Sequence, residues 1–152
     1  MEADQLALKA IFSRSLKSAQ ATAELITKDG VTPDLYSDDA GTGKALDDLF
    51  ARDDIKGVII ALTITTQPKY IEAALAAGKH VLAEKPIAAD VAGAKKLLEY
   101  YGKIGPEKSV TFGIAENFRF IPKYAYARSE IEKLGKVTGF NVIINGFQAK
   151  GT

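Results

Sequence analysis

Glu84, Lys85 and Pro86 follow directly on the short apolar run His80-Val81-Leu82-Ala83, which reads as a β-strand. The carboxyl edge of a parallel sheet is where open α/β folds bind their ligands. An ammonium held there between a carboxylate and a rigid proline can hydrogen-bond an oxygen on which negative charge develops. On spacing alone the plainer reading is a surface lysine paired with Glu84. A second group, Ser13-Arg14-Ser15, ends the apolar run Leu6–Phe12. A guanidinium flanked by hydroxyls suits a phosphate, and equally suits a helix start with a solvated arginine. A third, Ala61, Leu62, Thr63 and Gln67, lies at the end of Val58-Ile59-Ile60-Ala61-Leu62 and just beyond it. Asn117 and Arg119 form a fourth, within Ala115-Glu116-Asn117-Phe118-Arg119-Phe120.

The elements that must position these groups alternate. Val58–Leu62 is apolar on both faces, as a fully buried parallel strand requires. Thr65-Thr66-Gln67-Pro68 opens a helix with capping side chains and an early proline, and Ile71, Ala74, Leu75 and Gly78 give it one stripe and a stop. Leu16–Lys28 is a helix with Leu16, Ala19, Ala23 and Ile26 on one face. Leu35-Tyr36 is a brief strand, and Leu46, Leu49 and Phe50 mark another helix. Asp90 caps a helix that buries Val91, Ala94, Leu97, Leu98 and Tyr101, and Lys103–Lys108 reads as a turn. Val110–Ile114 is a strand, Pro122 starts a helix that ends near Gly135, and Val137–Phe147 alternates like a half-solvated strand. Strands alternating with helices predict βαβ units and a mostly parallel, doubly wound sheet.

Ala74-Leu75-Ala76-Ala77-Gly78-Lys79-His80-Val81-Leu82-Ala83-Glu84-Lys85-Pro86 resembles the signature of the glucose–fructose oxidoreductase / inositol dehydrogenase (Gfo/Idh/MocA) family of nicotinamide-dependent enzymes. Ala115–Phe120 resembles that family's passage from cofactor domain to substrate domain. The resemblance runs from about Leu6 to the end of the chain. It implies an α/β fold: an incomplete Rossmann-like doubly wound parallel sheet over residues 1–120, then the start of an α+β substrate domain over 121–152. It implies hydride transfer between nicotinamide and a sugar- or polyol-like substrate, with Lys85 as the catalytic residue that hydrogen-bonds the reacting oxygen. Glu84 and Lys85 then stand at the cofactor, and Ala61, Leu62, Thr63 and Gln67 run along its pyrophosphate and nicotinamide ribose. A histidine is common where Gln67 falls, and glutamine cannot shuttle a proton. Asn117 and Arg119 face the substrate. Ser13, Arg14 and Ser15 stand where an acidic residue would meet a free ribose 2′-hydroxyl, so the cofactor is expected to be NADP in preference to NAD.

The family's opening strand and Gly-x-Gly-x-x-Gly turn have no counterpart in these 152 residues, because only five residues precede Leu6. In the usual strand order that opening strand lies between the Leu6 and Val58 strands. Three outcomes follow: the two strands close on each other, another chain fills the slot, or the sequence is an incomplete product. The last is the expectation here, together with truncation at the far end. A non-catalytic binding or regulatory relative is the alternative function.

The rest of the sequence narrows the field. Twenty basic against 19 acidic side chains make no electrostatic case for nucleic acid or an anionic membrane. Cysteine is absent, which excludes a thiol nucleophile and thiolate metal ligation, and the single histidine argues against zinc. His80 lies inside a strand and reads as structural. Gly41-Thr42-Gly43-Lys44 lacks the phosphate-loop spacing and has Ala45 where the metal-binding hydroxyl belongs. With no membrane span or signal peptide legible, the expectation is a cytoplasmic protein with a small-molecule substrate and no metal. Self-association is left open.

Overall fold

The protein is described by a computed structural model over residues 6–26 and 30–143. In chain order its elements are β1 (Ala10–Ser13), α1 (Leu16–Ile26), β2 (Asp34–Ser37), α2 (Leu46–Phe50), β3 (Gly57–Ile60) and α3 (Gln67–Ala76). They continue with β4 (His80–Ala83), α4 (Val91–Lys108), β5 (Phe112–Ile114), a 3₁₀ turn (Asn117–Phe120) and α5 (Pro122–Lys133). Two compact units result, Met1–Ala115 and Glu116–Thr152.

Among the described residues all strand pairing is parallel, as the alternation of strands and helices predicts, but it forms two sheets. β1 pairs with β2, and β3, β4 and β5 pair in that order. Among the described residues β1 does not close onto β3, so the first of the three outcomes named above is not the one adopted. The larger sheet packs one face on two helices. Ile71, Ala74 and Leu75 of α3 and Leu97 of α4 meet Ile60, Val81, Ala83 and Val110 in the main core. Helix α3 stops as expected at Gly78, whose φ of +73° turns the chain so that the N–H of Lys79 reaches back to Ala74 O at 3.0 Å.

The opposite face corrects the expectation of burial on both sides. Ile59 and Leu82, partners across the β3–β4 ladder, are 79% and 42% exposed. Their composition suits a sheet covered twice, whereas α3 and α4 cover it once. Between the two sheets sits α2: Tyr36, Leu49 and Ile55 form a second core, with Phe12, Phe50 and Val58 packed against it. Arg52, just beyond α2, ties the same region together. Its guanidinium donates to Asp34 and to Tyr36 Oη of β2, and to Asp54 at 2.8 and 2.9 Å. The buried Lys79 ammonium donates to Arg52 O at 2.7 Å, linking the turn before β4 to the same point.

Two further expectations are corrected. Lys103–Lys108 is not a turn, since α4 runs through Pro106 to Lys108. Pro106 has no N–H to donate to Gly102 O, and Gly102 is exposed, so water can satisfy that carbonyl. Tyr101 and Ile104 meanwhile stay packed on the core, so the apolar face outlasts the breaker residues. At the other end Asp90 caps the helix as expected, with Oδ1 2.7 Å from Gly93 N. Val137–Asn141 and the following Val142 and Ile143 form no strand and are exposed. A strand without a partner has no ladder to hold it. The remainder of that expected strand lies outside the described residues. No helix among the described residues is long and apolar enough to cross a membrane.

Two predictions follow from this packing. A Cβ at Gly105 would sit 2.6 Å from Tyr101 Cε2, and that ring is already fixed edge-on against Phe112 at 5.6 Å. Gly105→Ala gains about 1 kcal/mol of helix propensity and incurs overpacking of roughly 1–3 kcal/mol. The urea midpoint should therefore fall; an unchanged or higher midpoint would show that the ring yields freely. The second prediction concerns acid. Asp39 accepts from Ser37 Oγ and from Leu16 N, both at 2.6 Å, and these bonds, Ser37 first, hold its pKa below the usual value. Arg52 does the same for Asp54. Carboxylates depressed in the folded state add stability above their unfolded pKa, near 4, and lose it as pH falls through the folded values. The thermal midpoint should drop below about pH 4, and an Asp39→Ala/Asp54→Ala variant should show a shallower acid limb. A parallel acid limb would remove both groups from the account.

Candidate functional site

Each candidate group in the first unit occupies the turn that follows a parallel strand. Ser13 ends β1 and Arg14-Ser15 lead into α1; Ala61-Leu62-Thr63 follow β3; Glu84-Lys85-Pro86 follow β4. In a parallel strand–helix unit these turns gather at the carboxyl edge of the strands, where helix N-termini also point.

Five of these residues share one groove. Ser13 and Arg14 line it from one sheet, Ala61, Leu62 and Thr63 from the other, and its volume is about 1390 Å³. A typical small-molecule site holds roughly 300–1,000 Å³. The excess reflects its extent, since from the space between β1 and β3 it runs over the open face of the larger sheet to Leu82 and Gly113. Its floor is apolar, with Ile11, Val58 and Ile59, and α1 adds the hydroxyl residues Ser18 and Thr22. Arg14 is exposed, a cation available to a ligand at the groove's end.

The other expected residues are placed differently. Ser15 caps α1: its Oγ accepts from Ser18 N at 3.3 Å. Thr66 does not cap α3 with its side chain; its hydroxyl turns back to Thr63, 3.1 Å from Thr63 O. The Gln67 side chain is buried beneath the Lys85 turn, where Nε2 lies 2.6 Å from Glu84 O. Glu84 and Lys85 are exposed at the carboxyl end of β4 and do not line the groove. Among the described residues no ion pair joins them; the Glu84 carboxylate accepts from the Lys85 backbone N–H at 3.1 Å. The bond between Lys85 and Pro86 is cis. Asn117 and Arg119 lie in the 3₁₀ turn of the second unit, exposed, with the Arg119 guanidinium 5.5 Å from the Phe120 ring. His80 is structural in its contacts: Nδ1 accepts from Thr111 N at 3.0 Å, across the β4–β5 side of the sheet.

Sequence reasoning missed Asp39. Its carboxylate comes from the loop after β2 and accepts from Leu16 N at the start of α1, two residues beyond Arg14. A pair of aspartates behind a short strand was the only signal, and without the β1–β2 pairing nothing placed it near that arginine.

Comparison with known proteins agrees with this architecture. The family model for the oxidoreductase family with an NAD-binding Rossmann fold (Gfo/Idh/MocA) matches residues 1–112. Dehydrogenase FPY6 of Fusarium mangiferae is 44% identical over 131 residues, which is 86% of this chain and 36% of that protein. Scyllo-inositol dehydrogenase of Lactobacillus casei, solved with NAD(H) and scyllo-inositol, superposes with a TM-score of 0.68 at 26% identity, over 86% of this chain and 35% of its own. KijD10, a 3-ketoreductase of Actinomadura kijaniata solved with NADP, gives 0.63 at 25% identity, over 84% of this chain and 36% of its own. The chain thus spans about a third of the length of these relatives. Parallel strand–helix units, the groove at their edges and the match over residues 1–112 lead to one conclusion: this chain belongs to the Gfo/Idh/MocA oxidoreductase family, with its NAD-binding Rossmann fold.

Proposed function

We propose that this protein is an NAD(P)-dependent oxidoreductase that moves hydride between nicotinamide and a hydroxyl- or carbonyl-bearing carbon of a sugar- or polyol-like substrate, with NADP preferred. The observation that carries this reading is the shared groove, into which two strand-end turns bring Ser13, Arg14 and Thr63 over an apolar floor. A guanidinium and hydroxyls beside apolar walls fit a phosphorylated nucleotide whose rings need burial. Arg14 and Ser13 would hold a ribose phosphate, and Ala61, Leu62 and Thr63 would follow the chain of the cofactor toward its nicotinamide end. The nicotinamide coenzyme, when bound, accepts or delivers the hydride.

The remaining chemistry belongs to the chain. Lys85 is presented by β4 with its ammonium free of any ion pair among the described residues. It would donate hydrogen bonds to the substrate's reacting oxygen and to the nicotinamide carboxamide, stabilising negative charge on that oxygen during transfer. Asn117 and Arg119 would orient the substrate, Arg119 by pairing with an anionic group. In this reading residues 1–120 are the cofactor domain and the substrate domain begins at 121, close to the division between the compact units after Ala115. A cytoplasmic location belongs to the same proposal and accords with a cysteine-free chain.

Titration of the purified chain with NADPH and NADH, following nicotinamide fluorescence, tests the reading. Saturable binding with NADPH the tighter is expected. Arg14→Ala should weaken NADPH by roughly tenfold, the lower end for a charge-assisted hydrogen bond at an exposed site, and leave NADH unchanged. No binding of either nucleotide up to millimolar concentration would overturn the oxidoreductase reading; a preference for NADH would overturn the role of Arg14 alone.

A further inference from the structure

Gln67 has no role in the scheme above that its position allows it to play directly, because its side chain is only 1% exposed. Its Nε2 donates to Glu84 O at 2.6 Å and to Pro86 O at 3.1 Å, the carbonyls on either side of Lys85. Reversing the amide would set its oxygen against two carbonyl oxygens, so the contacts themselves fix which end is nitrogen. The other end, Oε1, is buried without a hydrogen-bond partner among the described residues. An unpaired buried acceptor is unfavourable, and the side chain holds its place in spite of it.

The backbone of Gln67 is equally constrained. Its N–H donates to Thr63 O at 3.0 Å, and Pro68 follows it in the first turn of α3. One residue therefore joins the turn after β3, which lines the groove, to the turn after β4, which carries Lys85. Glu84 N in turn donates to Ile60 O at 2.9 Å, at the end of the β3–β4 ladder. Beyond that bond, the Gln67 amide is what holds the carbonyls of the Lys85 turn. With no ion pair on its ammonium among the described residues, the backbone of its turn sets the point from which the Lys85 side chain leaves the chain.

We infer that Gln67 is a positioning residue for Lys85, a two-armed donor that fixes the Glu84–Pro86 turn against the Thr63 turn so that the Lys85 ammonium is presented in one direction. This rests on the reading of Lys85 above and assigns Gln67 no contact with cofactor or substrate. It also gives a physical use for glutamine at the start of α3, since its amide nitrogen carries two N–H groups and can serve both carbonyls at once without adding a buried charge.

The test uses Gln67→Met, which keeps length and volume and removes both donors. Lysines are reductively methylated with ¹³C, the Lys85 resonance is assigned with Lys85→Arg, and NADPH binding is followed by nicotinamide fluorescence. The Lys85 resonance should shift or split in Gln67→Met while that of Lys17, exposed on α1, stays in place. NADPH affinity should fall by roughly tenfold, the scale of one lost hydrogen bond. Gln67→His, which offers a single ring N–H, should recover part of both effects. A Lys85 resonance and an affinity both equal to wild type in Gln67→Met would overturn the inference and leave the oxidoreductase reading standing. If wild type binds no nucleotide, that reading fails, and the Lys85 resonance alone decides the positioning role. The wild-type chain supplies a further check that needs no variant. The Gln67 side-chain amide protons should exchange with D₂O far more slowly than those of Gln20, which is exposed on α1. Equal exchange rates would overturn the inference as surely as an unmoved resonance.

Discussion

The structure turns on the junction at Arg52. Among the described residues the two parallel sheets share no strand pairing, and the stretch around Arg52 helps to hold them together. The guanidinium reaches Asp34 and Tyr36 of β2 while its own carbonyl receives the Lys79 ammonium from the turn before β4. Polar ties alone are weak at partly exposed positions. Here they surround the apolar contacts of Tyr36, Leu49 and Ile55, and packing and charge point to the same geometry. The hydrogen bonds that its guanidinium donates to Asp54, Tyr36 and Asp34 raise the Arg52 pKa and favour the cation.

From that junction the groove follows. Among the described residues β1 and β3 do not pair, and the residues at their carboxyl ends face a common space. Lys85 depends on a second, smaller constraint, the buried amide beneath its turn. The two act at different ends of the same strands, one on the spacing of the sheets and the other on the direction of a single side chain.

Much of this was legible in the residues. The 3.6-residue stripe of Ile71, Ala74 and Leu75 with Gly78 behind it marked α3, and those side chains are fully buried. Asp90 announced the start of α4 because a carboxylate cap leaves a local signature. What the sequence could not show were properties decided by neighbours. Ile59 reads like any buried β-branched residue, and only the arrangement of helices tells which face is covered. Pro106 reads as a stop, yet the core contacts of Tyr101 and Ile104 carry α4 past it. The proximity of Asp39 to Arg14 arises from the pairing of β1 with β2, a long-range fact with no local mark. For the candidate site, Ser13, Arg14 and Lys85 were visible as strand-end residues, whereas the support under Lys85 was hidden because glutamine before proline looks like simple helix capping.

The uncovered face of the larger sheet has a consequence for handling the protein. Ile59 and Leu82 lie open beside the unladdered margins of β1 and β3, and such margins recruit other strands unless charge or bulk deters them. Colloidal behaviour will accordingly be governed by whatever shields those two side chains, and the chain's solubility ceiling is written into the strand that also floors its groove.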